Sequence, residues 1–137
     1  MEKVLGRLSW LAYTLFRIAA GLLFAQHGTQ KLFGMLGGMG ESGGSAPFLS
    51  LMFFAGLIEF FGGLLVAVGL GTRWAAFLAS GQMAVAYFMA HAPQGFWPIQ
   101  NRGELAVLYS FAFLFIAAYG PRRISLDAVL GISKGAE

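Results

Sequence analysis

The chain has 137 residues, enough for one domain, of which 58% are hydrophobic and only 11% charged, and its mean hydropathy is +0.71. Soluble domains carry roughly 25% charged residues, so this composition excludes a surface suited to water on every side and points to a membrane. The net charge of +3 comes from scattered basic residues rather than a basic tract, which argues against nucleic-acid binding, and the absence of cysteine excludes disulfide exchange, iron–sulfur ligation and thiolate zinc sites within the chain.

The first apolar segment runs from about Leu8 to Phe33. No small-residue cleavage site separates it from the rest of the chain, so it reads as a membrane helix rather than a removable signal peptide. The glycine-rich stretch GMLGGMGESGGSAP then forms a flexible loop. A second apolar segment covers about 48–70, and GTR at Gly71–Arg73 makes a tight turn into a third, about 74–91. The loop APQGFWPIQNR leads to a fourth, about 103–119, closed by Gly120-Pro121. Lengths of roughly 17–25 residues match a hydrocarbon core of about 30 Å, and a backbone in lipid must satisfy its own hydrogen bonds, so the segments are expected to be helices. The expected fold is an all-α integral membrane protein with four transmembrane helices in an antiparallel up-down-up-down bundle. The tail, 122–137, contains SLDAVLGI, which reads as a short amphipathic interfacial helix with Ser125 as its N-cap.

Basic residues set the expected orientation. Lys3, Arg7, Arg73, Arg122, Arg123 and Lys134 fall on the side of the termini, against Lys31 and Arg102 on the other. The positive-inside rule then puts both termini in the cytoplasm, with Trp10, Trp74 and Tyr119 at one interface and Trp97 at the other.

Two intramembrane charges stand out. Glu59 is the only charged residue from Pro47 to Gly71, and Arg17 lies inside LAYTLFRIAAGLLFA. An acidic side chain at the bilayer centre costs roughly 2.5–3.5 kcal/mol, so such groups face the bundle interior and take partners. At 100° per residue Arg17, Gly21, Phe24, Gly28 and Lys31 share one face of the first helix, and Gly56, Glu59 and Gly63 share one face of the second. Small residues allow close backbone approach, so these faces should meet. Ala76, Ala79, Ala86 and Ala90 form a similar face on the third helix, with Gln82 at its margin. Counting depth along each helix brings Arg17 and Glu59 together. That pair would either fix helix register or take part in function. Nearer the outer side, His27, Lys31, His91, Asn101 and Glu104 lie at similar depth and form an expected polar vestibule. Glu104 is in a first helical turn, where the dipole favours an anion. The bland readings are a snorkelling Lys31 and interfacial histidines bonded to backbone or water. A bis-histidine haem on His27 and His91 is conceivable because the two are on separate helices at one depth, and a metal on two histidines and a glutamate has no recognised local motif behind it; neither is the favoured reading. No metal and no covalent cofactor is expected.

HGTQKLFG at His27–Gly34, GLIEFFGGLLVAVGLGTR at Gly56–Arg73, the lone His91, NRGELA at Asn101–Ala106 and GPRRISLD at Gly120–Asp127 occur in an order and spacing that resembles the DoxX family of small bacterial membrane proteins. The family usually has Gly after the Asn and Gly after the Pro; here Arg102 and Arg122 stand there, and Arg102 puts an extra cation beside the vestibule. The resemblance implies a four-helix membrane protein linked to quinone-dependent oxidation, quinone stress or membrane oxidoreductase complexes. Its motif positions fall on Arg17, His27, Lys31, Glu59, His91, Asn101 and Glu104.

The resulting expectation is a membrane redox subunit that binds a quinone, quinol or similar lipid-soluble molecule. The ring would lie against Phe24, Phe60, Tyr87 or Phe111, with donors from Lys31, His27 or His91. Glu59 and Glu104, or a histidine, would relay protons. No electron donor is visible in the chain, so a partner oxidoreductase subunit would supply electrons and the chain alone need not be an enzyme. A homo-oligomer also fits. Two other readings are a small ion or solute channel or transporter, and a structural or assembly subunit.

Overall fold

The computed structural model describes residues 1–133. Among them there are helices and turns but no strand, only an isolated bridge between Met39 and Gly44 in the glycine-rich loop. Helix α1 spans Glu2–Phe33 and ends at Gly34, whose φ of 65° is a left-handed cap suited to glycine. Helix α2 covers Leu51–Val68 and contains a π turn at Ile58–Gly62. Helix α3 covers Thr72–Ala86 and continues into a second π turn, Tyr87–His91. A short helix α4 (Pro98–Asn101) precedes α5 (Glu104–Tyr119), and α6 (Leu126–Val129) lies in the tail.

Two of these helices are long and apolar enough to cross a membrane, Gly6–Phe33 and Leu51–Val68, and α5 is a shorter apolar helix. The limits differ from the hydropathy limits in an instructive way. Helix α1 starts at Glu2 rather than near Leu8 because hydropathy marks the apolar span while the helix runs on through its polar turn. Helix α3 starts at Thr72 because its N-terminus is capped from a distance by Asp127, whose carboxylate accepts from the Gly71 and Thr72 main-chain N–H groups at 2.8 and 3.1 Å.

Glycine sets the α1–α2 packing. A Cβ on Gly21 would lie 2.5 Å from the Gly63 carbonyl oxygen, and one on Gly63 would lie 2.5 Å from that of Gly21. Further along, Gly28 rests on the Phe60 backbone, and Gly56 on the Lys31 side chain. Rising numbers on α1 meet falling numbers on α2, so the pair is antiparallel. Helices α3 and α5 are likewise antiparallel. Arg73 donates to the Ala117 and Ala118 carbonyls at 2.8 and 2.7 Å, and Ser80 and Ser110 exchange hydroxyl-to-carbonyl bonds at 2.8 and 3.2 Å. Phe24, Val66, Ala76, Ala79, Met83, Tyr109, Phe113 and Ile116 fill the core between the four long helices. The outward faces carry exposed Leu22, Phe61, Phe77, Phe88, Leu108 and Phe111, a surface that water would not favour.

This register corrects the expected Arg17–Glu59 pair. Arg17 is level with the end of α2, roughly 20 Å along α1 from Lys31 at about 1.5 Å per residue. Its guanidinium donates to the Val66 and Ala67 carbonyls at 2.5 and 3.0 Å and to the Ile124 carbonyl at 2.6 Å. Arg17, 1% exposed, therefore bonds carbonyls of the last turn of α2, with its charge at the negative end of the helix dipole. Ser125 does cap the tail helix, its hydroxyl accepting from the Ala128 N–H at 3.1 Å. That helix has only four residues, and Asp127 is buried against the α2–α3 turn instead of facing an interface. Residues 134–137 of the expected tail, with Lys134, lie outside the described residues.

Candidate functional site

Glu59 sits in the π turn of α2, on the glycine face that meets α1. The cation level with it is Lys31, whose Nζ lies 2.5 Å from one carboxylate oxygen and 2.6 Å from the other. Gln82 of α3 donates its Nε2 to the same Oε1 at 2.8 Å. Glu59 is buried, with 1% of its side chain exposed, while Lys31 keeps 21%. Three helices thus meet on one carboxylate. The close α1–α2 contact is what lets the Lys31 side chain reach it.

This cluster borders a cavity of about 490 Å³. Helix α1 contributes Phe24, His27 and Lys31, and α2 contributes Leu51, Met52, Ala55 and Glu59. Helix α3 and its π turn add Gln82, Met83, Val85, Ala86, Met89, Ala90 and His91, and the opposite wall is Arg102, Leu105, Ala106 and Tyr109. The walls are mostly apolar, with polar groups at a few points, the usual make-up of a small-molecule site. Phe24, fully buried, packs its ring 5.6 Å from Tyr109 and 4.7 Å from Phe113. His27 meets Tyr109 edge-on at 6.1 Å. Among the described residues neither the His27 ring nor the Tyr109 hydroxyl has a hydrogen-bond partner, so both polar groups are available to whatever enters.

His91 is held differently. Its Nδ1 lies 3.0 Å from the Asn101 main-chain oxygen. Asn101 is itself fixed: its amide donates to the Gly95 carbonyl at 2.9 Å and the Tyr87 hydroxyl at 3.2 Å, and its Oδ1 accepts from the Gly103 N–H at 2.8 Å. Asn101 is therefore the hub of the loop between α3 and α5. It sets the His91 ring without lining the cavity.

Of the residues expected at the site, His27, Lys31, Glu59 and His91 line one cavity. Arg17 is at the other end of α1, Asn101 stands behind His91, and Glu104 is exposed on the first turn of α5. Of the four expected aromatic contacts Phe24 lines the cavity, whereas Phe60, Tyr87 and Phe111 do not. Phe60 packs on Gly28, and Phe111 is exposed on the outer face of α5. Among the described residues no three His, Asp or Glu side chains converge as a metal site would require. Sequence reasoning misses Tyr109 and the methionines Met52, Met83 and Met89. Tyr109 is detectable in principle, because it and Phe113 share one face of α5.

The DoxX family model matches residues 12–92. The chain belongs to the DoxX family. The matched stretch carries Arg17, His27, Lys31, Glu59 and His91, so it includes the charge cluster and three helical walls of the cavity. An uncharacterized protein of Haemophilus influenzae is 42% identical over 118 residues, covering 81% of this chain and 84% of that one. No solved structure matches. As a DoxX protein with apolar helices, the chain is a membrane protein. Two arginines beyond the matched stretch stand where the resemblance leads to an expectation of glycine. Arg102 and Arg122 both adopt a left-handed backbone with φ of 59°, the conformation for which glycine is suited. Arg102 accepts that cost while lining the cavity, and Arg122 places its guanidinium 3.7 Å over the Tyr119 ring.

Proposed function

We propose that this DoxX protein is a membrane subunit of a redox system that binds a quinone, quinol or similar lipid-soluble redox molecule between its helices. All four long helices cross a bacterial inner membrane as an antiparallel bundle, with both termini cytoplasmic. The observation that carries the reading is the cavity of about 490 Å³, apolar-walled but bordered by Lys31–Glu59–Gln82 and by His27, His91 and Tyr109. Its volume falls in the range of about 300–1,000 Å³ usual for small-molecule sites. A flat ring fits against Phe24 and Tyr109, an isoprenoid or alkyl chain against the methionines and leucines, and ring oxygens against the polar groups. The Glu59 carboxylate stands ready to exchange a proton with the ligand, and a partner oxidoreductase subunit supplies the electrons. The side chains that face lipid support four crossings: α3 with its π turn covers twenty residues, roughly 30 Å, and presents Trp74, Phe77, Leu78, Val85 and Phe88 outward.

The test is saturable binding of a short-chain benzoquinone to the full-length protein in lipid nanodiscs. Binding that weakens at least tenfold in His27→Ala, with the melting profile unchanged, supports the proposal. Wild-type protein without saturable binding defeats it. Ion flux in proteoliposomes that depends on Glu59 would favour a channel or transporter instead.

A further inference from the structure

His91 and Glu59, each carried by a π turn, border the same cavity. A π turn inserts an extra residue into the helical ladder and recurs at functional sites because it re-aims a side chain. The bond at one His91 nitrogen decides what the other can offer. The Asn101 main-chain oxygen, 3.0 Å from Nδ1, can only accept, so Nδ1 carries the proton. In the neutral ring Nε2 is then a lone pair, an acceptor and not a donor. The Asn101 hub, with three bonds of its own, prevents the ring from exchanging these roles.

The remaining acceptors of the cavity are committed or in need of a donor. Both Glu59 oxygens already take Lys31, and Oε1 also takes Gln82. Gln82 turns its Nε2 toward that carboxylate, which leaves its Oε1 buried with no donor among the described residues. Lys31 is spent on Glu59. A ligand that only accepts, as a quinone does, finds donors at Arg102, His27 and Tyr109 but meets a lone pair at His91. A ligand with a hydroxyl that can donate satisfies His91 as well.

We infer that the site recognises the reduced, hydroxyl-bearing form of its ligand, a quinol or related phenol, through a hydrogen bond from the ligand hydroxyl to His91 Nε2. This rests on the quinone/quinol reading above and makes His91 the residue that discriminates the two redox forms. It reverses the expectation that His91 donates to a quinone carbonyl.

The experiment uses full-length protein in lipid nanodiscs, kept anaerobic. Three probes of one carbon skeleton are titrated: a short-chain benzoquinol, its benzoquinone, and the quinol's dimethyl ether, which cannot donate. Wild-type protein should bind the quinol about tenfold more tightly than either of the others, the effect of one good hydrogen bond. His91→Phe should abolish that preference, the quinol then binding no more tightly than its ether, and His91→Gln, which restores an acceptor, should recover part of it. Quinone or ether binding as tight as quinol in wild type overturns the inference while the quinone reading stands. So does a preference that survives His91→Phe. If none of the three probes binds wild-type protein, the quinone reading falls and the inference falls with it. The wild-type comparison needs no variant to fold.

Discussion

The Lys31–Glu59 pair makes an asymmetric prediction. Its members are buried to different extents: Glu59 keeps 1% of its side chain exposed and Lys31 keeps 21%. Lys31→Met strands a buried carboxylate with one remaining donor, Gln82. Breaking a buried pair from one side costs about 3–5 kcal/mol, and this substitution should fall in that range. Glu59→Gln leaves the lysine instead. Its long stem can turn the ammonium toward the interface, so only the charge-assisted bonds are lost, about 1.5–2 kcal/mol. The double variant Lys31→Met/Glu59→Gln removes both charges and should be more stable than Lys31→Met alone, giving a coupling energy of about 2 kcal/mol in a double-mutant cycle. Equilibrium unfolding in mixed micelles, followed by circular dichroism, measures all four corners. Equal costs for the two single variants, or coupling under about 0.5 kcal/mol, would refute the assignment of Glu59 as the charge held by Lys31.

Other substitutions separate the two ends of the molecule. Arg17→Met removes the donor to three carbonyls at the end of α2 and in the tail and should cost about 3 kcal/mol, yet leave ligand affinity unchanged, because Arg17 does not line the cavity. Asp127→Ala uncaps α3 and should cost about 1–2 kcal/mol, read as faster hydrogen exchange confined to the turn at residues 69–72. Arg102→Gly should stabilise by about 1 kcal/mol through relief of its left-handed backbone. Arg122→Gly should gain less, since it also gives up a cation–π contact of about 0.5–1 kcal/mol with Tyr119, and thermal melts of the two variants make the comparison. Gly21→Val drives a side chain into the Gly63 and Ala67 backbone and should cost about 1–3 kcal/mol or more and open the cluster, seen as loss of the Lys31–Glu59 coupling energy.

The apolar segments, the glycine faces and the costly carboxylate were all legible in the chain, because each depends on local composition or on the roughly 100° step of one helix. What could not be read locally was which residue lies opposite which. Helix α1 offers two cations on a single face, Arg17 and Lys31, roughly 20 Å apart. Depth counted from the ends of an apolar segment chooses Arg17 for Glu59. The choice reverses once Gly21 is set against Gly63, because the antiparallel register then places Gly28 on Phe60 and Lys31 on Gly56. Two further features are nonlocal in the same sense. Asp127 caps a helix that begins 55 positions earlier, and the Asn101 carbonyl orients His91 from across a loop. The π turns under Glu59 and His91 have no propensity signal, since they form when packing rewards a rotated side chain. Register therefore does more than join two helices. By sending Arg17 to the end of α2, it leaves Lys31 to neutralise Glu59, the one carboxylate that lines the cavity among the described residues. A neutralised Glu59 leaves His91 as the group whose hydrogen-bonding character decides what the cavity holds.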